Sequence, residues 1–467
     1  MSHAFLVRYQ ARASVSRLTV NRSHACVGLR IAASLVLAAS APAQQFERIS
    51  VDSSGAEGNG SSVASVLSAD GRTSAFSSYA TNLVAGDTNG FRDVFVRDAT
   101  THATRRLSLS STGVQANGAS YSPSLSGNGR FLAFTSEANN LVPGDTNGVA
   151  DVFVHDRDPD GNGIFDEGNG VTSRVSVDSS GLEAHGGRYG AYSHTISEDG
   201  RLVVFRSDAS DLVAGDTNGK SDVFVHDLSS GGTRRVSVDS SGAQASNGSS
   251  LATISGDGVV VAFHSDANNL VPGDTNGVTD VFTHDLSSGV TTRVSLDSSG
   301  AQFSSACSTP ALSRDGGVVA FKIRGSPSPV AVYGLCVHDT ATGATQQVSF
   351  GSYSFSWGWW AGTWYSQWTT VLGFPALSAD GSRLAYMTNA GSAEVYCDLC
   401  PMDAYATGSV WVLDRTTQST VAVAAYSSWG FSTENQAIAW APFNAPSLSD
   451  DGWKLAFESD SPTLVAG

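Results

Sequence analysis

Four short acidic loops hold the residues in this chain best placed to do chemistry. Each reads Asp-Thr-Asn-Gly and runs on to Asp-Val-Phe, which sets out Asp87, Asn89 and Asp93; Asp145, Asn147 and Asp151; Asp216, Asn218 and Asp222; and Asp274, Asn276 and Asp280. Two carboxylates and an amide around a glycine turn offer oxygen donors only, which suits calcium better than a transition metal. A fuller version is Asp158-Pro-Asp160-Gly-Asn162-Gly163-Ile-Phe-Asp166. Aligning Gly163 with Gly148 places Asp160, Asn162 and Asp166 on Asp145, Asn147 and Asp151. Asp158 is then an added ligand, where the shorter loops have Pro143 or Ala85. The expected cofactor is calcium, bound weakly, with Kd on the order of 10⁻⁴–10⁻³ M. The competing account is that Asp and Asn merely cap a turn through their own backbone. Four aligned copies and one complete loop favour the cation.

Other reactive residues are fewer. A histidine recurs in Val-His-Asp or Thr-His-Asp at His155, His226, His284 and His338. One per repeat keeps these residues far apart, so a structural role is expected. Trp357, Trp359, Trp360, Trp364 and Trp368 crowd one connection. Aromatic planes there suit sugar stacking or a protein contact, although rings folded back over the neighbouring repeats would look the same in sequence. Cys307, Cys336, Cys397 and Cys400 form an even set, read as disulfides in an exported chain; a metal pair at Cys397 and Cys400, or free thiols, are the alternatives. No Gly-x-Ser-x-Gly, His-Glu-x-x-His or phosphate loop is present, and the chain is expected not to be an enzyme.

The loops recur at intervals of 58, 71 and 58 residues, which marks a repeat architecture. One full unit holds Tyr121–Ser126, a Gly-Asn-Gly turn, Arg130–Ser136, the acidic loop, Asp151–Asp156 and Ser173–Asp178. Four antiparallel strands in that order make a propeller blade. The first two strands recur seven times, at Leu67, Leu125, Ile196, Ile254, Leu312, Leu377 and Leu448. The fold class is therefore all-β, a single seven-bladed β-propeller of four-stranded antiparallel blades over residues 44–467. Repeats from about residue 300 have drifted and lack the acidic loop. The last residues, Ser459–Gly467, match Ser207–Gly215, just before an acidic loop. The last blade is thus expected to be incomplete at the C-terminus, lacking its third strand, while Phe46–Asp52 supplies its fourth.

Leu377-Ser-Ala-Asp-Gly381-Ser-Arg-Leu-Ala-Tyr386 and Leu448-Ser-Asp-Asp-Gly-Trp-Lys-Leu-Ala-Phe457 resemble the PD40 repeats of TolB-like β-propellers. The resemblance spans nearly all of residues 46–467. It implies the fold, and leaves scaffold, envelope and enzyme roles open.

Residues 1–43 carry five arginines and no acid, then an apolar run too short to span a bilayer and a small-residue Ala41-Pro42-Ala43 cleavage site. They are expected to be a signal peptide. The net charge of −16 becomes more negative without them, which argues against nucleic acid or anionic lipid as partner. The sequence reading is an exported, periplasmic or extracellular, calcium-stabilised monomer without a membrane span. It binds a protein or glycan on its loop-rich rim; a TolB-like envelope protein and a polysaccharide lyase or hydrolase are the alternatives.

Overall fold

The computed structural model describes residues 2–8, 45–185, 191–324, 333–348, 354–356, 363–396, 403–428 and 446–459. They form seven antiparallel sheets, one per blade. Blade two shows the pattern: Ser120–Leu125, Phe131–Ser136, Asp151–Asp156 and Val171–Arg174 lie side by side, from inner to outer edge. Strands two and three are apolar on both faces because each blade is sandwiched between two others. Phe134 and Phe153 pair across them at a centroid distance of 5.9 Å, and Phe76–Phe95, Phe205–Phe224 and Phe263–Phe282 repeat the contact at 5.8–5.9 Å. All eight rings are buried, and each is worth on the order of 2 kcal/mol in transfer free energy.

The hairpin between strands one and two is set by Leu-Ser-x-Asp/Asn-Gly. In blade two Ser126 Oγ donates to Asn128 Oδ1 and accepts from Phe131 N. Gly129 takes φ +73°, a left-handed turn position that favours glycine. The third residue of each turn, or in blade four the fourth, links its backbone to the next blade. Ala69 N donates to Gly127 O, Gly127 N to Glu198 O, Glu198 N to Gly256 O, Asp257 N to Arg314 O, Arg314 N to Ala379 O, Ala379 N to Asp450 O, and Asp450 N back to Ala69 O, at 2.8–3.1 Å. The ring of bonds closes after seven blades, the count read from the sequence.

One expectation is corrected at the closure, that the last blade lacks its third strand. Blade seven holds four paired strands: Ser447–Leu448, Lys454–Ser459, His3–Arg8 and Gln45–Arg48. Its third strand, His3–Arg8, comes from the segment read in the sequence as a leader. The physical reason is a matching pattern. Ala4, Phe5, Leu6 and Val7 are all buried, and Phe5 stacks on Phe457 at 6.1 Å, as Phe153 does on Phe134. In blade six the strands run to 15, 14, 12 and 10 residues, with Ser354–Ser356 as a short fifth. Trp364 and Trp368 therefore lie within strand Thr363–Leu377, not in a loop. Trp357, Trp359, Trp360, Cys397 and Cys400 fall outside the described residues.

Candidate functional site

Strand four of each regular blade carries an arginine opposite the strand-three phenylalanine: Arg106, Arg174, Arg235 and Arg293 face Phe95, Phe153, Phe224 and Phe282. That register aims the guanidinium at the acidic loop. Arg106 Nη1 lies 3.1 Å from Asp87 and 3.3 Å from Asp93. The corresponding distances are 3.4 and 3.5 Å at Arg174, 3.6 and 3.3 Å at Arg235, and 3.1 and 3.6 Å at Arg293. The second aspartate also accepts from a serine two residues beyond strand four at 2.5 Å, as Asp222 does from Ser237. The asparagine turns its amide toward the same carboxylate: Asn89 Nδ2 donates to Asp93 at 2.9 Å and to Ala116 O at 3.0 Å, while its Oδ1 accepts from Phe91 N. Asn147, Asn218 and Asn276 repeat this arrangement.

The loop residues do come together, and in each of the four sets an arginine clamps the two carboxylates. In blade two the carboxylates of Asp145, Asp151 and Glu183 lie close enough together to hold a metal ion, with Arg174 against all three. Burial pushes Asp87, Asp216 and Asp274 above the ordinary carboxylate range. Asp145 goes furthest, to about 6, through burial and then the neighbouring Asp151. Blade two adds a third carboxylate, Glu183, 2.7 Å from Arg174; Gln115, Gln244 and Gln302 occupy its place elsewhere.

The Asp158–Asp166 insert behaves differently. Asp158 accepts from Asn162 N and Gly163 N, both at 3.0 Å, and Gly163 takes φ +82°. The Asn162 amide lies 3.1 Å from Asp160 Oδ2 and 2.7 Å from Glu167 Oε2. The Asn162 amide thus links Asp160 and Glu167 beside the turn that Asp158 caps. Asp166 is not among them: Arg157 grips it in a fork at 2.9 and 2.5 Å. Arg157 also donates to Gly129 O in the strand one–two hairpin, so the insert lies on the face opposite the clamps, as the strand order requires. A groove of about 370 Å³ separates the insert from the outer strand of blade one, lined in part by Arg105, Arg106, His155 and Asp166.

The histidines are structural. His155 Nδ1 meets Thr172 Oγ1 at 2.8 Å, and that hydroxyl donates to Leu109 O of the preceding blade's connection. The hydroxyl must then accept from His155, which sets the tautomer. His226, His284 and His338 repeat the relay. Cys307 and Cys336 are free and buried, which corrects the disulfide expectation for this pair. They sit on strands one and three of blade five with strand two between them. Two strand spacings, roughly 9.6 Å, exceed the span of a disulfide. Burial pushes the Cys336 thiol up to about 12.

One group was missed in the sequence. In the hairpin ring the third turn residue is Ala69, Gly127, Gly256 or Ala379, except for Glu198, Arg314 and Asp450. Arg314 lies 2.9 Å from Glu198 and 3.7 Å from Asp450, which ties blades three, five and seven together. A Cβ on Gly256 would stand 2.2 Å from the Glu198 carboxylate. Large charged residues at a position otherwise small were the available signal.

Fold and geometry together define a seven-bladed β-propeller. No family model and no curated protein matches the chain. Solved structures similar to it include one described as TolB from Agrobacterium tumefaciens (16% identity, 77% of this chain and 94% of that one, TM-score 0.39). An oligogalacturonate lyase in complex with manganese is similar at 12% identity (85% and 88% covered, TM-score 0.46). An acylaminoacyl peptidase of Pyrococcus horikoshii is similar at 11% (78% and 44% covered, TM-score 0.41). The resemblance to TolB-like propellers holds at the level of fold. The non-enzyme expectation is corrected: two of these three proteins are enzymes, so missing motifs and fold give no ground for excluding catalysis.

Proposed function

We propose that the chain is an exported propeller that binds calcium in the blade-two insert and presents its loop-rich surface to a protein or glycan partner. The supporting observation is the turn shaped by Gly163, in which Asp158 accepts from Asn162 N and Gly163 N while the Asn162 amide joins Asp160 and Glu167. Positions one, three, five and six of such a loop carry the expected residue types. Glu167, bonded to the Asn162 amide, would serve in place of Asp166. When bound, calcium neutralises these carboxylates and fixes the insert. The chain's own residues do the rest: Arg157 and Arg105 hold Asp166, and through it the wall of the adjoining groove. Export rests on the Arg-rich, acid-free segment and its Ala41-Pro42-Ala43 site, cleavage at which would take His3–Arg8 out of blade seven.

Calorimetric titration with calcium tests the site. A single weak site that disappears in Asp158→Asn/Asp160→Asn is expected, and an identical titration of the double variant overturns the reading. Capture of a partner from envelope extracts, with and without chelator, tests the surface.

A further inference from the structure

The loop-rich face differs between blades where strand two leaves and strand three returns. Ser78 pairs with Asp93 at the end of that ladder, as Ser136 does with Asp151, Ser207 with Asp222 and Ser265 with Asp280. The residues just outside this pair are Tyr79 and Arg92 in blade one. In blades two to four they are Glu137 and Ala150, Asp208 and Ser221, and Asp266 and Thr279. The partly exposed Arg92 guanidinium stands over two rings, 5.5 Å from the Tyr79 centroid and 4.7 Å from that of Tyr121 in the neighbouring blade. Its Nε is buried without a hydrogen-bond partner, and unlike the four clamp arginines it forms no ion pair among the described residues. Glu137, exposed, lies beside the Tyr121 hydroxyl. Tyr79 is 57% exposed and Phe91, next to Arg92 in the chain, 44%. Beside Tyr79 the surface is amide and hydroxyl, with Asn59 bonded to Thr81 and Asn82.

We infer, resting on the partner-binding surface proposed above, that Tyr79, Arg92, Tyr121 and Glu137 form a binding site for an acidic oligosaccharide, a chain of β-linked hexuronate units. A pyranose ring with equatorial substituents has a flat C–H face, which the exposed Tyr79 ring can cover. Its carboxylate meets a guanidinium that two rings already hold in place and that no protein carboxylate occupies, the condition for a strong charge-assisted bond. Ring hydroxyls find an acceptor in Glu137. A protein interface has a contiguous apolar centre, which two exposed rings beside asparagine and threonine do not supply. The net charge of −16 disfavours diffuse attraction of a polyanion, so binding must come from this contact.

The probe is the β-1,4-linked glucuronate hexamer, titrated into the full chain by calorimetry in the presence of chelator, so that the outcome does not depend on calcium. Two comparators are run beside it. Cellohexaose has the same backbone with a hydroxymethyl in place of each carboxylate, and hexaglutamate has the carboxylates without the rings. Saturable binding of the uronate is expected, with both comparators at least about tenfold weaker. Arg92→Gln should bring the uronate down to the level of cellohexaose while leaving cellohexaose as it was, which separates a lost carboxylate contact from a lost fold. Tyr79→Phe should bind as the wild type does, and Tyr79→Ala at least about tenfold more weakly. Absence of uronate binding, hexaglutamate binding as tightly as the uronate, or a uronate preference that survives Arg92→Gln overturns the inference. Capture of the same envelope partner by wild type and Arg92→Gln would overturn it too, while leaving the wider partner-binding surface standing.

Discussion

In blade three Asp216, Asp222 and Arg235 meet where strands three and four join the acidic loop. In blade five the register puts Gly334 and Gln347 in the places of Asp222 and Arg235. Blade six puts Ser409 and Ala422 there. Carboxylate and guanidinium have gone together in both. A buried ion pair is roughly exchangeable for neutral packing, but half of one is not, because the remaining charge has lost its compensation. Gly334 shows the substitution from the steric side: a Cβ there would meet Ile323 at 2.9 Å and Gln347 at 3.4 Å. The drifted blades are therefore alternative solutions rather than damaged ones. Blade seven keeps Arg48 without an aspartate, and Glu57 is its carboxylate partner.

The largest expected effect comes from forcing blade three into the broken state. Arg235→Met leaves Asp216 and Asp222 buried without a cation and should cost about 3–5 kcal/mol, read as a fall in the urea midpoint. Converting the whole set as blade five has done, with Asp222→Gly, Asp216→Asn and Arg235→Gln, should recover most of that loss. A triple variant no better than the single one would show that the three residues do not act as a unit.

The clamp of blade two should also respond to pH. Asp145 has its folded pKa raised to about 6 by burial and by Asp151, above the ordinary 3.8. A raised carboxylate pKa means that stability is fullest below the unfolded value and is lost as pH rises through the folded one. Between about pH 4 and 6 the wild type should lose up to about 1.4 kcal/mol per pH unit relative to Asp145→Asn. Denaturant midpoints of both proteins across that window measure it, and parallel curves would place the titration elsewhere.

The sequence made the blades legible because one phenylalanine pair and one hairpin recur at a fixed interval. It also located Asp145, Asn147 and Asp151 correctly as neighbours. It did not show that Arg174 joins them, because Arg174 lies 23 residues beyond Asp151 and only the strand pairing brings it back. Asp166 was assigned to the insert by alignment alone, and the competing grip of Arg157 is a tertiary fact. His3–Arg8 was hidden by composition: an arginine-rich leader and an apolar third strand look alike when no partner strand is in view.

Calcium sharpens the contrast between insert and clamps. If the insert binds and the clamps do not, saturation should raise stability by about 1.4 kcal/mol at ten times Kd. Asp158→Asn should abolish the rise in thermal melts, while Asp216→Asn should leave it intact. A rise that survives Asp158→Asn but not Asp216→Asn would return the cation to the clamp loops.

The smallest effect is expected at the hairpin ring. Arg314 bridges Glu198 and Asp450 across non-adjacent blades, a placement that suggests a lock on closure. Its side chain is 57% exposed, however, against 8% for Arg235, so water screens both pairs. Exposed pairs contribute about 0–1 kcal/mol and fade with salt. The seven backbone bonds of the same ring do not need the side chain. Arg314→Ala should therefore lower the urea midpoint slightly at low ionic strength and not at all in molar salt. Closure would depend on the axial charges rather than on the backbone ring and the outer clamps if Arg314→Ala cost as much as Arg235→Met.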